Sequence, residues 1–551
     1  MGSGISGLMT AWQAAKAGMQ VALYSKSPDP RTVSDGNAEQ ESSTFDSRND
    51  QRYITLFEGH PYLELVGYID KMYPGIADDF GRDVLQGGLL TVPQEKFPAR
   101  SIQWLKRRAA LNRKLQNGDR EKIAEIRGLF ASYADENRAA MAAWYEILAD
   151  LLNAYPALVQ TLTLSNNGVM RLYDDREVFE EARKSHQEGG VFKCEYTPQE
   201  LVSAYPAYAE GVKRGFIRGG AIEMYGLTFG VQAVGRCLID EMERMDVEIH
   251  FNNKVTGIER DGSGAVKGIL IEGQAVLRQS DHYIFHTGAF AGPELFQNVP
   301  QAQNELAAVE GYWLTIENAD QLIQAMGDKP NKVHGKKSLA EILEMVDDSS
   351  AERCRQHFNR LGIADAQLSA IAPIVDFNNM PIHKNGTVSL GVGSGYIFKG
   401  LAECDATGRA CFTNDAMSEE FTLIVMELWL EALHGKRLLT DGAKTVVHRK
   451  GCKRSWTPND RELDVNLPTI SGGLCMMHDG GNTGSTTKSP FIAAYALAKI
   501  ARAEKAGQGF APLRRSLGKS VEEIGPEQWE KLTAKLAQVV VEAQNKSVQP
   551  E

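Results

Sequence analysis

The opening of the chain constrains its fold more than any other stretch. Gly2-Ser3-Gly4-Ile5-Ser6-Gly7 is a Gly-x-Gly-x-x-Gly turn that runs into Leu8-Met9-Thr10-Ala11-Trp12-Gln13-Ala14-Ala15-Lys16-Ala17, a helical stretch ended by Gly18. Gln20-Val21-Ala22-Leu23-Tyr24-Ser25 then returns as a short apolar strand. Each glycine has a physical task in such a unit: Gly2 permits the tight turn, Gly4 lets backbone approach a pyrophosphate, and Gly7 lets helix and strand pack closely. The helix start adds free N–H groups and a positive dipole end, which suit phosphates.

Two features depart from a complete dinucleotide fold. A parallel sheet wants its central strand before the turn, where only Met1 stands, so the chain reads as one that starts late. The acidic residue expected at the end of the second strand, where it would bind a ribose hydroxyl, is Ser25. A hydroxyl serves there more weakly than a carboxylate.

At 551 residues the chain exceeds one ordinary core, so two or more domains are expected. Sixty basic residues against 71 acidic ones give a net charge of −11, which argues against a general nucleic-acid or anionic-membrane binder. No apolar run reaches the length of a membrane span, and no signal peptide is visible. The seven cysteines are odd in number, scattered and without Cys-x-x-Cys spacing, a pattern that fits reduced thiols in a cytoplasmic protein and offers no metal site.

Past the opening unit, Ser27-Pro28-Asp29-Pro30 breaks the strand and a polar loop follows. Its end, Ser42 to Tyr53, combines Ser43, Thr44 and other small hydroxyl residues with Arg48 and Arg52. Such a loop suits a cofactor diphosphate or a substrate carboxylate, and equally a solvated surface. From Gln103 to Leu152 apolar residues including Trp104, Leu105, Met141, Trp144, Ile147 and Leu148 recur at helical spacing, which reads as added helices packing on one side of the core. Val231 to Met245 reads as an amphipathic helix, and Val247 to Phe251, Lys254 to Glu259, Ala265 to Glu272 and Asp281 to Phe285 as strands. The last ends at His286-Thr287-Gly288-Ala289, a small-residue turn at a sheet's carboxyl edge, where nucleotides bind. Strand-like Val309 to Ile316 and Val388 to Val392, with helices at Leu339 to Met345 and Phe421 to Leu433, suit a second, substrate-covering domain. Gly473 to Met477 reads as a strand, Asp479-Gly480-Gly481-Asn482-Thr483-Gly484-Ser485 as a second glycine turn, and Ser489 to Lys499 as a helix. The charged tail past Gln508 reads as peripheral.

The order of these parts resembles the D-amino-acid oxidase-like family of FAD enzymes, which includes sarcosine and glycine oxidases. The likeness rests on the opening turn, the Lys254-Val255-Thr256-Gly257-Ile258 block, Thr287-Gly288-Ala289, Arg454 with Thr457-Pro458, and the closing glycine-rich helix start. It leaves out the helical stretch and much of 315–440. The fold it implies is α/β, with a Rossmann-like FAD-binding domain assembled from 1–60, 205–300 and 445–505. A mixed α+β substrate domain would span 61–204 and 301–444, with a helical insertion at about 100–155, leaving 506–551 as the tail.

By the same resemblance Gly2, Gly4, Gly7 and Ser25 hold the diphosphate and ribose of FAD, Val255 contacts adenine through its backbone, and Thr287, Gly288 and Ala289 line the flavin. Ser43, Thr44 and Arg52 cover the ring, while Gly481, Asn482, Thr483, Gly484, Ser485 and Thr486 bring a helix dipole to its electron-accepting edge. Arg454 stands where many relatives carry an arginine for a substrate carboxylate. Cys452, five residues before Thr457, matches a cysteine that carries the flavin covalently in sarcosine-oxidase-like members, and a partly buried thiol is the plain alternative. Thr486 occupies the place of those oxidases' substrate-binding lysine, with Lys488 two residues on, which departs from a simple sarcosine-like site.

The activity implied is oxidation of an amine or amino acid: hydride passes to FAD, the imine hydrolyses, and oxygen or another acceptor takes the electrons. A 2-hydroxy acid or polyol dehydrogenase on the same fold and a non-catalytic flavoprotein subunit are the alternatives. His286 and His478 flank the two turns and read as hydrogen-bonded core histidines rather than ring contacts.

Overall fold

The computed structural model describes residues 1–29, 51–55, 98–116, 120–288 apart from 163, 167, 189 and 275–276, then 295–296, 299–317, 331–334, 337–360, 365–368, 377–380, 388–404, 410–411, 418–437, 445–458, 463–479, 485–503 and 524–548. The opening turn leads into helix α1 (Ile5–Lys16) and strand β1 (Ala22–Tyr24). Strand β2 (Gln51–Thr55) includes Gln51, Arg52 and Tyr53, which were expected in a loop but pair with β6 (Gly226–Gly230), because alternating Tyr53 and Thr55 suit a strand.

Strands β3 (Val169–Tyr173), β4 (Phe192–Tyr196) and β5 (Gly220–Met224) come next, then helix α4 (Val231–Arg244), preceded in the chain by α2 (Ala99–Gln116) and α3 (Arg120–Ala154). The expected strands follow as β7 (Glu248–His250), β8 (Val255–Arg260), β9 (Val266–Ile271) and β10 (Tyr283–Phe285). β11 (Ala307–Glu317), β12 (Asn331–His334), β13 (Phe377–Met380), β14 (Val388–Leu401), the short pair β15 (Glu403–Cys404) and β16 (Ala410–Cys411), and helix α5 (Ser418–His434) lead to β17 (Thr445–Trp456). β18 (Leu463–Pro468), β19 (Leu474–Asp479), α6 (Ser485–Ala503) and α7 (Pro526–Val548) come last, and shorter helices such as Arg176–Glu188 and Asp348–Arg360 lie between the strands.

One part is a parallel core. β1 pairs in parallel with β7, and β10 in parallel with β19, whose other side takes β18 antiparallel. Met1 and Gly2 bridge the two halves: Gly2 N–H donates to Tyr24 O at 3.0 Å, the Met1 amine to Ile284 O at 2.6 Å, and His286 N–H to Met1 O at 3.0 Å. α1 packs on α6 through Ala14, Leu497 and Ile500, and on α4 from its other flank.

The other part is an eight-stranded sheet in the order β17-β11-β14-β13-β12-β3-β5-β4. β5 and β17, which fall within the segments expected to bind nucleotide, hydrogen-bond into this sheet. Their partners β3 and β11 lie far off in sequence, so nothing local to either strand could reveal the pairing.

The helical stretch packs as expected, with Trp104, Leu105, Met141, Trp144 and Leu148 all buried. The tail does not. α7 lies against α3, with Trp529, Leu532, Leu536, Val539 and Ala543 in the same core cluster as Trp12, Trp144 and Phe229. These five residues recur at three- and four-residue spacing, so the helix buries one stripe and leaves its charges on the other face. α6 also begins at Ser485, four residues before its expected start, and therefore encloses Pro490.

Packing of α5 creates a titratable weak point. His434 at its end is buried, its Nδ1–H donates to Ala207 O at 3.0 Å, and its Nε2 has no partner among the described residues. Burial pushes the imidazole down to about 4. The folded value lies below the unfolded one, so this contribution is complete above pH 6.5 and is lost as pH falls toward 4. The shift corresponds to about 3 kcal/mol. Urea titrations at pH 7 and pH 4.5 are expected to show His434→Gln losing distinctly less stability on acidification than the parent; equal losses would refute the assignment.

Candidate functional site

The glycine turn is as tight as its sequence suggests. Gly2 holds φ +96°, and a Cβ there would lie 2.2 Å from His286 O; one on Gly7 would lie 1.9 Å from Gly2 O. Neither position has room for a side chain, because backbone occupies the space. Gly4 caps α1 with φ −64° and ψ 165°, no side chain bonds to the helix end, and no acidic residue lies in the first turn. The first α-type bond runs from Leu8 N–H to Gly4 O, so the amides of Ile5, Ser6 and Gly7 have no intrahelical acceptor. Three amides around a cradle that a Cβ would fill fit a diphosphate.

Ser25 ends β1 against this turn. Its Oγ lies 2.6 Å from Ser3 Oγ, both buried, and accepts Ser27 N–H at 3.1 Å. Its carbonyl accepts Asn253 N–H at 2.8 Å, which brings Val255, the first residue of β8, to the same side. Val255 packs with Tyr24 and Ile269.

A second corner meets the first. α1 follows Met1 and Gly2, which hydrogen-bond to Ile284 of β10 and to Tyr24 of β1, α6 follows β19, and the two helices pack on each other. Past β10, His286 is held on both ring nitrogens: Nδ1–H donates to His478 O at 3.1 Å, and Nε2 lies 3.0 Å from Thr10 Oγ1, whose hydroxyl also donates to Ser6 O at 2.8 Å. This supports the hydrogen-bonded core role expected of His286. His478 lies in β19, so the glycine turn, the end of β10 and the end of β19 are tied together through Thr10 and His286. Thr287 and Gly288 follow at once, with Gly288 at φ +67°. Across the edge, the buried Trp144 indole of α3 donates to Thr486 O at 3.0 Å and Thr487 O at 3.2 Å in the first turn of α6. Lys488 is buried one residue on.

The structure thus brings Thr287, next to Gly288 in the chain, to the turn of Gly2, Gly4 and Gly7, with Ser25 and Val255 alongside, while Ser485, Thr486 and Lys488 stand in the first turn of α6. β2, which carries Arg52, packs on α6. Cys452 and Arg454 sit in β17 opposite Gly311 and Val309 of β11, in the large sheet. Ser43, Thr44, Ala289, Gly481, Asn482, Thr483 and Gly484 lie outside the described residues. Ser3 and Thr10 carry no site role in the sequence reading, and Trp144 enters it only as part of a packing stripe; Thr10 lies two turns past Gly2 on the buried face of α1, but its partner is 276 residues away. Among the described residues no His, Cys, Asp or Glu group could hold a metal ion, and no helix is long and apolar enough to cross a membrane.

Asp464 of β18 anchors α6 from below. Burial raises its carboxyl, but bonds from Lys499 and Tyr495 outweigh that and hold it below the usual range.

Comparison with known proteins adds three findings. The family model described as FAD dependent oxidoreductase (DAO) matches residues 1–338. No curated protein matches. Among solved structures, a modified fructosyl peptide oxidase from Aspergillus nidulans is 11% identical, with 91% of this chain and 88% of that one covered and a TM-score of 0.52. Glycine oxidase from Geobacillus kaustophilus is 13% identical, with 93% and 96% covered and a TM-score of 0.49. At such identity the likeness to the first is one of fold, an α/β FAD-binding fold.

Proposed function

Because the chain belongs to the FAD dependent oxidoreductase (DAO) family, we propose that it oxidises the C–N bond of an amine or amino acid to an imine. Bound FAD supplies the redox chemistry by accepting a hydride from the carbon beside the nitrogen, and oxygen or another acceptor regenerates it. The observation that carries the reading is the uncapped glycine cradle at the start of α1, whose Gly2 and Gly7 leave no room for side chains.

In this reading Gly2, Gly4 and Gly7 leave amides for the diphosphate, Ser25 offers a hydroxyl to the ribose, and Val255 meets the adenine through its backbone. Thr287, Gly288 and Ala289 line the ring, with Ser43, Thr44 and Arg52 over it. Gly481 to Thr486 aim the α6 N-terminus at its electron-accepting edge, where a positive pole favours negative charge. Arg454 holds a substrate carboxylate, a bidentate task suited to a guanidinium. Thr486 and the buried Lys488 complete the substrate side, and Cys452 is the candidate for a covalent flavin bond. The FAD-binding part comprises 1–60, the segment from β6 to about 300, and β18 to about 505; the eight-stranded sheet covers substrate, with the helices at about 100–155 as an insertion.

The purified protein is expected to be yellow, with a visible band that bleaches anaerobically on adding amines or amino acids. Bleaching by 2-hydroxy acids instead would favour the dehydrogenase alternative, and a colourless protein that takes up no FAD would sink both. Arg454→Met should raise KM for carboxylate-bearing amines roughly tenfold to a hundredfold while sparing amines without the carboxylate. Acid precipitation decides on Cys452, since a covalent flavin stays with the pellet.

A further inference from the structure

α6 contains a proline in its second turn. Pro490 has no N–H, so the carbonyl four residues back, Thr486 O, lacks the backbone donor that a regular helix would give it. Two side chains fill the vacancy: Ser489 Oγ–H donates at 2.9 Å, and Trp144 Nε1–H donates at 3.0 Å. The same indole N–H lies 3.2 Å from Thr487 O. Trp144 is wholly buried and its ring centroid lies 4.9 Å from that of Phe229, which stands opposite Arg52 across the β2 and β6 pair. One side chain of the α3 helix therefore braces both the first turn of α6 and the strand pair beside it.

We propose that Trp144 is a positioning residue for the cofactor end of α6. By donating to the carbonyl that Pro490 orphans, it keeps the first turn helical and its amides aligned with the axis. The inference rests on the placement of that helix start at the flavin ring. Without the indole N–H, of these two side-chain donors only the Ser489 hydroxyl remains for Thr486 O, Thr487 O also loses a donor, and the first turn can open. Its amides then turn from the ring, and negative charge there is held less well.

Sulfite, which bleaches the flavin band by placing negative charge on the ring, reads this out without turnover. In the FAD-loaded protein, Trp144→Phe keeps the buried ring and removes only the donor. It is expected to weaken sulfite binding roughly threefold to tenfold and to make the midpoint potential more negative, with FAD still bound. Pro490→Ala returns a backbone donor to Thr486 O, so in that background the effect of Trp144→Phe should fall by at least half. Unchanged sulfite affinity in Trp144→Phe, or an equal loss in both backgrounds, overturns the proposal while leaving the helix placement standing. A parent holoprotein that sulfite does not bleach overturns the placement itself. Should Trp144→Phe not fold, Pro490→Ala is expected to restore folding, and failure to do so also overturns the proposal.

Discussion

Gly7→Ala is expected to give a protein that no longer retains FAD and has lost about 3 kcal/mol of stability. The added methyl would lie 1.9 Å from Gly2 O, and that oxygen belongs to backbone, so no side chain can swing aside. Relief requires α1 to lift from the turn. Lifting it would pull Leu8, Met9 and Trp12 from the core, strain the bond between Thr10 and His286, and spread the three amides at the helix start. Gly262→Ala is the matched control, because a Cβ there meets nothing within 4 Å and the backbone is not left-handed. The ratio of flavin to protein absorbance, with chemical denaturation alongside, measures both effects. Stoichiometric flavin in Gly7→Ala would remove the glycine cradle from the argument.

The second large effect lies at the other end of the chain. Trp529→Ala should cost about 3–5 kcal/mol, although it touches neither glycine corner. Its indole is fully buried, donates to Gly190 O at 3.1 Å, and lies 6.0 Å from the ring of Tyr145 and 6.4 Å from that of Tyr225. Truncation opens a cavity among these rings and strips Gly190 O of its donor, two costs of different origin. Urea titration of the variant decides the matter. A change within about 0.5 kcal/mol, the ordinary result for a surface substitution, would return α7 to the periphery.

What could be read in advance follows from the range of the interactions. Gly2, Gly4 and Gly7 were legible because the turn's requirements are local, and the structure gives Gly2 its positive φ and Gly7 its close approach. α4 and the strands β7 to β10 were legible because period and turn chemistry lie within a few residues. The buried face of α7 is less legible, because its many charges suggest a peripheral tail while Trp529, Leu532, Leu536 and Val539 recur at the spacing of a buried stripe. The places of β5 and β17 depend on partners far off in sequence, as does the bond between Trp144 and Thr486, 342 residues apart. Pro490 was a usable hint, since a proline within a helix announces a carbonyl that needs another donor, but sequence does not say which indole supplies it.

The packing of α1 on α6 also has a bearing on how the molecule is made. A ribosome adds about 5–20 residues each second, so α1 waits tens of seconds for α6, the partner it will lie against. Until then Ala14 and its neighbours are exposed in a nascent chain that cannot yet close around nucleotide. α1 thus finds its place only after α6 has been made, and coenzyme capture belongs to the later part of biogenesis.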